Sequence, residues 1–178
     1  MTELYNYQKV GIEWLIRTEA TLGCGILADD MGLGKTNQMI GLMKRIPVAK
    51  TLLIVPKSII SQWIEVLHIP YSYYRKSGIC DDGGVTIVSH GTLPYISYAN
   101  DLLTTVWDRI IVDEAHILCN RFSAQSRTLH RLVGRYKWAI TGTPCMRNKN
   151  DLLNYSNFFR MNDYDSIAPE TIRDHYML

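Results

Sequence analysis

Between residues 24 and 141 the chain repeats one texture: a short, mostly apolar and β-branched run, then a longer stretch in which apolar residues return every three to four positions. The runs are CGILA (24–28), TLLIV (51–55), VTIV (85–88), RIIVD (109–113) and KWAIT (137–141). Runs of this kind, without strict polar alternation, are expected for strands covered on both faces. Helical spacing fills three of the intervals. Residues 35–45 follow a Gly-rich turn, SIISQWIEVL (58–67) opens on Ser58 as an N-cap, and 123–136 places Leu129, Leu132, Val133 and Tyr136 on one stripe. Ahead of the first run, Tyr7, Val10, Trp14 and Leu15 predict an amphipathic helix between Leu4 and Thr18. CDDGG (80–84) reads as a turn, and no repeat or low-complexity linker breaks the pattern.

Strand and helix in alternation predict right-handed βαβ units and an α/β fold, a doubly wound and mainly parallel sheet with helices on both faces. Ligands of such sheets sit at the carboxyl ends of the strands. The 178 residues, 47% of them apolar, suffice for one domain with a real core.

Net charge is only +2, so nucleic-acid binding would need local clustering of base. Such clustering exists: from Ala115 to Asn150 there is no Asp or Glu, while Arg121, Arg127, Arg131, Arg135, Lys137, Arg147 and Lys149 all fall inside. Arg127, Arg131 and Arg135, four apart, suggest one basic helical face. Cys24, Cys80, Cys119 and Cys145 match no metal-ligand spacing, and without a signal peptide they read as reduced intracellular thiols. No apolar run approaches the roughly 20 residues that cross a bilayer, so a soluble protein with no membrane partner is expected.

Chemistry enters at LADDMGLGKT (27–36). A strand, a flexible turn and a helix starting at Lys35 are the setting of a phosphate loop. There, backbone N–H groups and the helix N-terminus surround phosphate oxygens, the Lys reaches the β/γ-phosphates and the next hydroxyl binds Mg²⁺. Gly32, Gly34, Lys35 and Thr36 supply those parts, but Asp29 stands where the first glycine of the common pattern belongs. A turn shaped by two glycines, with Lys35 solvated, would account for this stretch by itself. RIIVDEAH (109–116) adds a second site: an apolar strand delivers Asp113 and Glu114 at its carboxyl end, one carboxylate placed to hold Mg²⁺ and its neighbour to orient or deprotonate water.

Taken in order, LYNYQKVGIEWL, LADDMGLGKT, TLLIVPKSIISQW, TIVSHGTL, WDRIIVDEAH and WAITGTPCMRN resemble the motifs of the first RecA-like lobe of the Swi/Snf-like superfamily 2 ATPases, over about residues 4–160. That resemblance implies a P-loop NTPase lobe using ATP and Mg²⁺, and an acidic residue at Asp29 becomes a family mark. T-G-T-P at Thr141–Pro144, in place of the S-A-T of RNA helicases, implies a duplex-DNA translocase.

Residue by residue, the resemblance assigns ATP binding to Gln8, Asp29, Met31, Gly32, Leu33, Gly34, Lys35 and Thr36, with Gln8 on adenine. Thr36 and Asp113 become Mg²⁺ ligands, and Lys35, Asp113 and Glu114 catalytic groups. His116, Thr141, Gly142 and Thr143 couple the ATP site to DNA, and Lys57, Ser58, His90, Gly91 and Thr92 contact the DNA backbone. Gln8 is also readable as a polar helix position, Ser58 as a cap and His90 as a loop residue. Trp14, Trp63, Trp107 and Trp138 read as core, and the arginine face as solvated or as meeting DNA or a partner. Ile117, Cys119 and the Cys145–Asn148 stretch depart from the family pattern.

Family members carry a second RecA-like lobe with an arginine finger, and this chain stops soon after the first-lobe motifs. A finger is worth about 10³–10⁵ in rate, roughly 4–7 kcal/mol of barrier. The expectation is therefore one lobe, residues 1–178, that turns ATP over very slowly alone, its partners being duplex DNA and a second lobe. Its expected place is the nucleus, a nucleoid or a viral replication compartment. A complete, non-hydrolytic regulatory module that binds nucleotide or DNA is the competing expectation.

Overall fold

The computed structural model describes residues 4–74, 84–97, 100–144 and 149–160, the side chains of 149–152 excepted. Along the chain run α1 (Asn6–Leu22), β1 (Cys24–Leu27), α2 (Lys35–Arg45), β2 (Lys50–Val55), α3 (Ile60–Leu67), β3 (Tyr71–Tyr73) and β4 (Gly84–Ser89). There follow α4 (Asp101–Thr104), β5 (Val106–Asp113), α5 (Ala124–Arg131), β6 (Val133–Ile140) and α6 (Lys149–Phe159). Short 3₁₀ helices occupy Lys57–Ile59, His90–Tyr95 and Ala115–Cys119. The six strands form one sheet in the order β1-β6-β5-β2-β4-β3, and every neighbouring pair is parallel.

The pleat divides the apolar runs between two cores. Leu27, Leu53, Val55 and Ile111 cluster with Leu15 of α1, Met39 and Leu42 of α2, and Trp63 and Leu67 of α3. Their strand neighbours Ile26, Leu52, Ile54, Ile110 and Val112 cluster instead with Leu118, Leu129, Tyr155 and Phe158. Both faces are therefore covered, which is why the strands read as unbroken apolar runs. α1 lies close on α2 at Gly41, where an added Cβ would come within 2.3 Å of Ile12 Cδ1.

Several expectations from the sequence are corrected. The helix expected over 123–136 ends at Arg131, and Val133–Tyr136 instead extend β6, because eight-residue β5 presents ladder positions from Val106 onward (Val106↔Val133, Arg109↔Tyr136). Arg135 is thus on a strand, and no single helical face joins it to Arg127 and Arg131. Lys137, counted in the basic cluster, is buried and unavailable to a ligand. Ser58 does not cap a helix through its side chain: it lies inside the 3₁₀ turn, and α3 begins two residues later. In α1 the buried stripe is Gln8, Gly11, Ile12, Leu15, Thr18 and Glu19, while Tyr7 and Val10 face outward. β3, a short exposed edge strand, carried no apolar signature.

The stripe of α1 is partly polar because it serves a buried ion pair. Arg109 of β5, fully buried, donates from Nε to Glu19 Oε2 at 2.8 Å and from Nη2 to Glu19 Oε1 and to the Ile46 carbonyl. Trp138 Nε1 donates to the same Glu19 Oε2 at 2.7 Å. Trp63, Trp107 and Trp138 are core residues as expected, and half-buried Trp14 packs edge-on against Trp138. Cys145, residues 80–83 of the CDDGG turn with Cys80 among them, Met146–Asn148 and the final segment lie outside the described residues.

Candidate nucleotide-binding site

Strand register assembles the site. Leu27, Ile140 and Asp113 are the carboxyl-terminal residues of β1, β6 and β5, and they are mutually in register (Leu27↔Ile140, Asp113↔Ile140). With about 4.8 Å between neighbouring strands, the Gly-rich loop, Thr141–Thr143 and Asp113–Glu114 all start within a span of about 10 Å. Val55 and Ser89 are likewise paired, so the segments led by Lys57 and His90 emerge side by side on the same edge.

The Gly-rich loop turns into α2 through Gly34, whose φ of 73° lies in the left-handed region that favours glycine. A Cβ on Gly34 would also stand 2.2 Å from Gln8 Nε2. Gln8 is buried here because its amide ties the first helix to the loop: Nε2 donates to the Leu33 carbonyl at 3.2 Å and Oε1 accepts from Tyr5 N–H at 3.0 Å. Lys35 Nζ donates to the carbonyls of Asp29 (2.7 Å) and Asp30 (2.9 Å). Met31 and Leu33 are exposed at the tip, beside Gly32, and Thr36 is half-buried in the first turn of α2.

Asp29 has a partner that the sequence reading missed. Its Oδ2 accepts from Gln38 Nε2 at 2.7 Å, and Gln38, one turn into α2, is fully buried with its Oε1 unpartnered. The carboxylate therefore turns inward to α2 and pins the start of the loop, where a glycine would leave it free.

Asp113 is buried, with Oδ2 accepting from Trp63 Nε1 (2.7 Å) and Oδ1 from Glu114 N–H (2.8 Å). Burial pushes its carboxyl above the ordinary range, opposed by these two hydrogen bonds and by the nearby charge of Lys35. Glu114 sits at φ 49°, a left-handed conformation that costs a non-glycine residue about 1–2 kcal/mol. Glu114 Oε2 lies 3.2 Å from His116 Nδ1. Ile117 and Cys119, the departures from the family pattern, pack against the core.

Thr141 is buried, and its Oγ1 accepts from Thr143 N–H at 3.2 Å, folding the T-G-T turn back on itself. A Cβ on Gly142 would meet Met31 Cγ at 2.9 Å and Lys35 Nζ at 3.4 Å, so this turn lies directly against the loop lysine. Of the remaining residues, Lys57, Ser58 and Gly91 are exposed, and Thr92 hydrogen-bonds Ser89 through its hydroxyl at 2.9 Å. His90 is half-buried against the carbonyls of Asp113 and Ile54, and burial holds its pKa down at about 4, so it brings no positive charge near neutral pH.

The residues fit a magnesium nucleotide. Gly142 lets the T-G-T turn lie against the Lys35 amine, α2 begins at the loop with Lys35, and the Lys35 charge is near enough to act on the Asp113 carboxylate. Among the described residues no group of three or more His, Cys, Asp and Glu could hold a metal by itself. Thr36 and Asp113 offer the one or two oxygen ligands that Mg²⁺ takes beside water and phosphate oxygens.

The fold is that of a RecA-like lobe of the P-loop NTPase class. The model of the SNF2-related domain matches residues 7–170, and the chain belongs to that family. It is 30% identical, over 93% of its length, to the probable global transactivator of Orgyia pseudotsugata multicapsid polyhedrosis virus. It is 32% identical, over 88% of its length, to the ISWI chromatin-remodeling complex ATPase ISW1 of Saccharomyces cerevisiae. The chain spans 37% of the viral relative and 16% of the yeast one. Among solved structures, the Sulfolobus solfataricus SWI2/SNF2 ATPase core domain superposes with a TM-score of 0.82 at 25% identity, over the whole of this chain and 43% of that one. The same core in complex with dsDNA gives 0.79 at 24% identity, over 97% of this chain and 38% of that one.

Proposed function

We propose that residues 1–178 form the first, ATP-binding lobe of a DNA-dependent ATPase that moves along duplex DNA and remodels protein–DNA complexes. The observation that carries this reading is the register of Leu27, Ile140 and Asp113, which gathers the Gly-rich loop, the T-G-T turn and the acidic pair at one edge of the sheet. Support for DNA comes from the Lys57 and His90 segments leaving the same edge, and from a solved structural neighbour described as bound to dsDNA.

In this reading Lys35 exchanges the Asp29 and Asp30 carbonyls for phosphate oxygens. Gln8 holds adenine, Asp29 with Gln38 fixes the loop entrance, and Met31, Gly32, Leu33 and Gly34 close over the phosphates. Thr36 and Asp113 hold Mg²⁺. The ion, when bound, withdraws charge from the β- and γ-phosphates. Glu114 accepts a proton from the attacking water, and its contact with His116 places that proton next to an exposed imidazole. Thr141, Gly142 and Thr143, packed on Lys35, report the state of the loop, while Lys57, Ser58, His90, Gly91 and Thr92 grip the DNA backbone by hydroxyls, backbone N–H groups and one lysine charge. Stepping needs a second RecA-like lobe that closes on ATP and supplies an arginine, so the lobe by itself turns over slowly. Such a protein works wherever DNA is handled: nucleus, nucleoid or viral replication compartment.

The test is ATP hydrolysis by the full gene product with duplex DNA, with RNA and with neither. Strong stimulation by duplex DNA alone is expected. Equal stimulation by RNA would move the reading to an RNA-dependent enzyme, and nucleotide or DNA binding with no turnover under any condition would favour a regulatory module.

A further inference from the structure

Trp63 is a core residue with an uncommon partner. It is 1% exposed among Leu53, Val55, Leu67 and Ile87, yet its indole N–H ends on Asp113 Oδ2 rather than on a backbone carbonyl. Trp107, equally buried, shows the ordinary solution: its Nε1 donates to the Leu102 carbonyl at 3.0 Å. Because Glu114 N–H holds the other oxygen, Trp63 and the backbone of β5 together set the plane of the Asp113 carboxylate. Trp63 is also only five residues from Ser58. The 3₁₀ turn Lys57–Ile59 runs straight into α3, so a displacement of that turn is carried by a short rigid helix to the indole. Hydrogen bonds at 2.7 Å lose most of their strength with a shift of about 1 Å. The neighbouring segment reaches the same residue, since the His90 ring lies against the Asp113 carbonyl.

Resting on the reading of Asp113 as a Mg²⁺ ligand and of Lys57–Ser58 as a DNA contact, we propose that Trp63 is a positioning residue that transmits DNA engagement at Lys57–Ser58 to the orientation of the Asp113 carboxylate. Partners that orient a metal ligand are typically worth 10–100-fold in metal affinity or activity. The relay thus has the size of a real switch, and it acts without Trp63 touching nucleotide or DNA.

The experiment measures the free Mg²⁺ that half-saturates ATP hydrolysis by the full gene product, with and without duplex DNA, in the wild type, Trp63→Phe, Trp107→Phe and Lys57→Ala. DNA is expected to lower this concentration in the wild type. Trp63→Phe should raise it about tenfold and make it insensitive to DNA. Trp107→Phe loses a buried indole bond away from the site and should melt earlier with both values unchanged. Lys57→Ala should lose the DNA effect. If Trp63→Phe behaves like Trp107→Phe while Lys57→Ala loses the DNA effect, the relay is wrong and the site reading survives. If DNA leaves the wild-type value unchanged, the relay is wrong; if Asp113→Asn hydrolyses normally, the site reading itself falls. Should Trp63→Phe not fold, the wild-type Trp63 indole resonance, assigned by its shift in Asp113→Asn, decides: it should move on adding duplex DNA alone, and an unmoved resonance overturns the relay.

Discussion

The two ends of the sheet solve the problem of buried polar groups in opposite ways. Toward the amino ends of the strands, Arg109, Glu19 and Trp138 satisfy one another in a dry interior, and Lys137 Nζ donates to the carbonyls of Leu132 and Phe158, capping α5 and α6. At the carboxyl ends, Lys35 is held by loop carbonyls, Asp113 by one hydrogen bond per oxygen, and Glu114 in a strained backbone. The first set is closed and has nothing to offer a ligand. The second is held in place yet keeps lone pairs and a cation that a ligand can use. Difference in closure, more than difference in polarity, separates the structural end from the chemical one.

The closed end breaks most heavily. Glu19→Leu leaves Arg109 charged and unpaired in the interior and is expected to cost about 3–5 kcal/mol, read as a fall in the urea midpoint. Adding Arg109→Met should recover most of that loss, since no bare charge remains; a double variant as unstable as the single one would show that packing rather than charge governs this end.

At the chemical end the effect should be on rate with little change in melting. Lys35→Ala is expected to reduce DNA-stimulated hydrolysis by the full gene product about 10²–10³-fold, as for loss of one charge-stabilising donor. Glu114→Gln should still bind ATP, measured with a fluorescent analogue, and lose about 10²–10⁴ in turnover with its proton acceptor gone. Normal turnover in either variant would sink these assignments.

Gly34→Ala tests the junction of helix and loop. The left-handed φ should cost about 1–2 kcal/mol, and the new Cβ should push Gln8 off the Leu33 carbonyl. In a Gln8→Ala background the penalty should shrink to the backbone part alone. Equal penalties in both backgrounds would remove the contact argument.

The smallest expected effect is a pH dependence at the closed end. Burial foremost, with the charge of Arg160, draws the Lys137 pKa from 10.5 down to about 8. Between those values the unfolded chain holds a proton that the folded chain lacks, so stability rises with pH. Burial pushes Cys24 from 9.0 up to about 11, so above pH 9 the folded chain keeps a proton that the unfolded chain loses, and stability falls. The sum is a rise of at most about 1.4 kcal/mol between pH 8 and 9 that then levels off. Urea midpoints across pH 7–10.5 should show it. Lys137→Met should abolish the rise, and Cys24→Ala should prolong it.

Motif residues were legible because their chemistry is local. A glycine pair before Lys35 and an acidic pair after RIIV carry their setting in the adjoining residues, and α2 spans residues 35–45 as its pattern predicts. The basic face failed for the converse reason. Leu129 and Leu132 fit a helical stripe that Val133 and Tyr136 continue on paper, but the ladder offered by β5 claims residues 133–136. Likewise Tyr7 and Val10 look like the apolar side of α1, while the helix buries Gln8 and Glu19 because partners 25 and 90 residues away, Leu33 and Arg109, need them.

By itself the sequence determined the α/β class, the phosphate-type loop, the acidic strand end and, through six ordered motifs, the family. Each rests on residues near one another in the chain or on their order. Tertiary structure alone decided that β6 lies between β1 and β5, which sets Gly142 against Lys35, that Asp29 turns inward to Gln38, and that Trp63 holds Asp113 from 50 residues away. A buried donor or acceptor must be satisfied by whatever packing brings within about 3 Å, and no spacing along the chain encodes that choice.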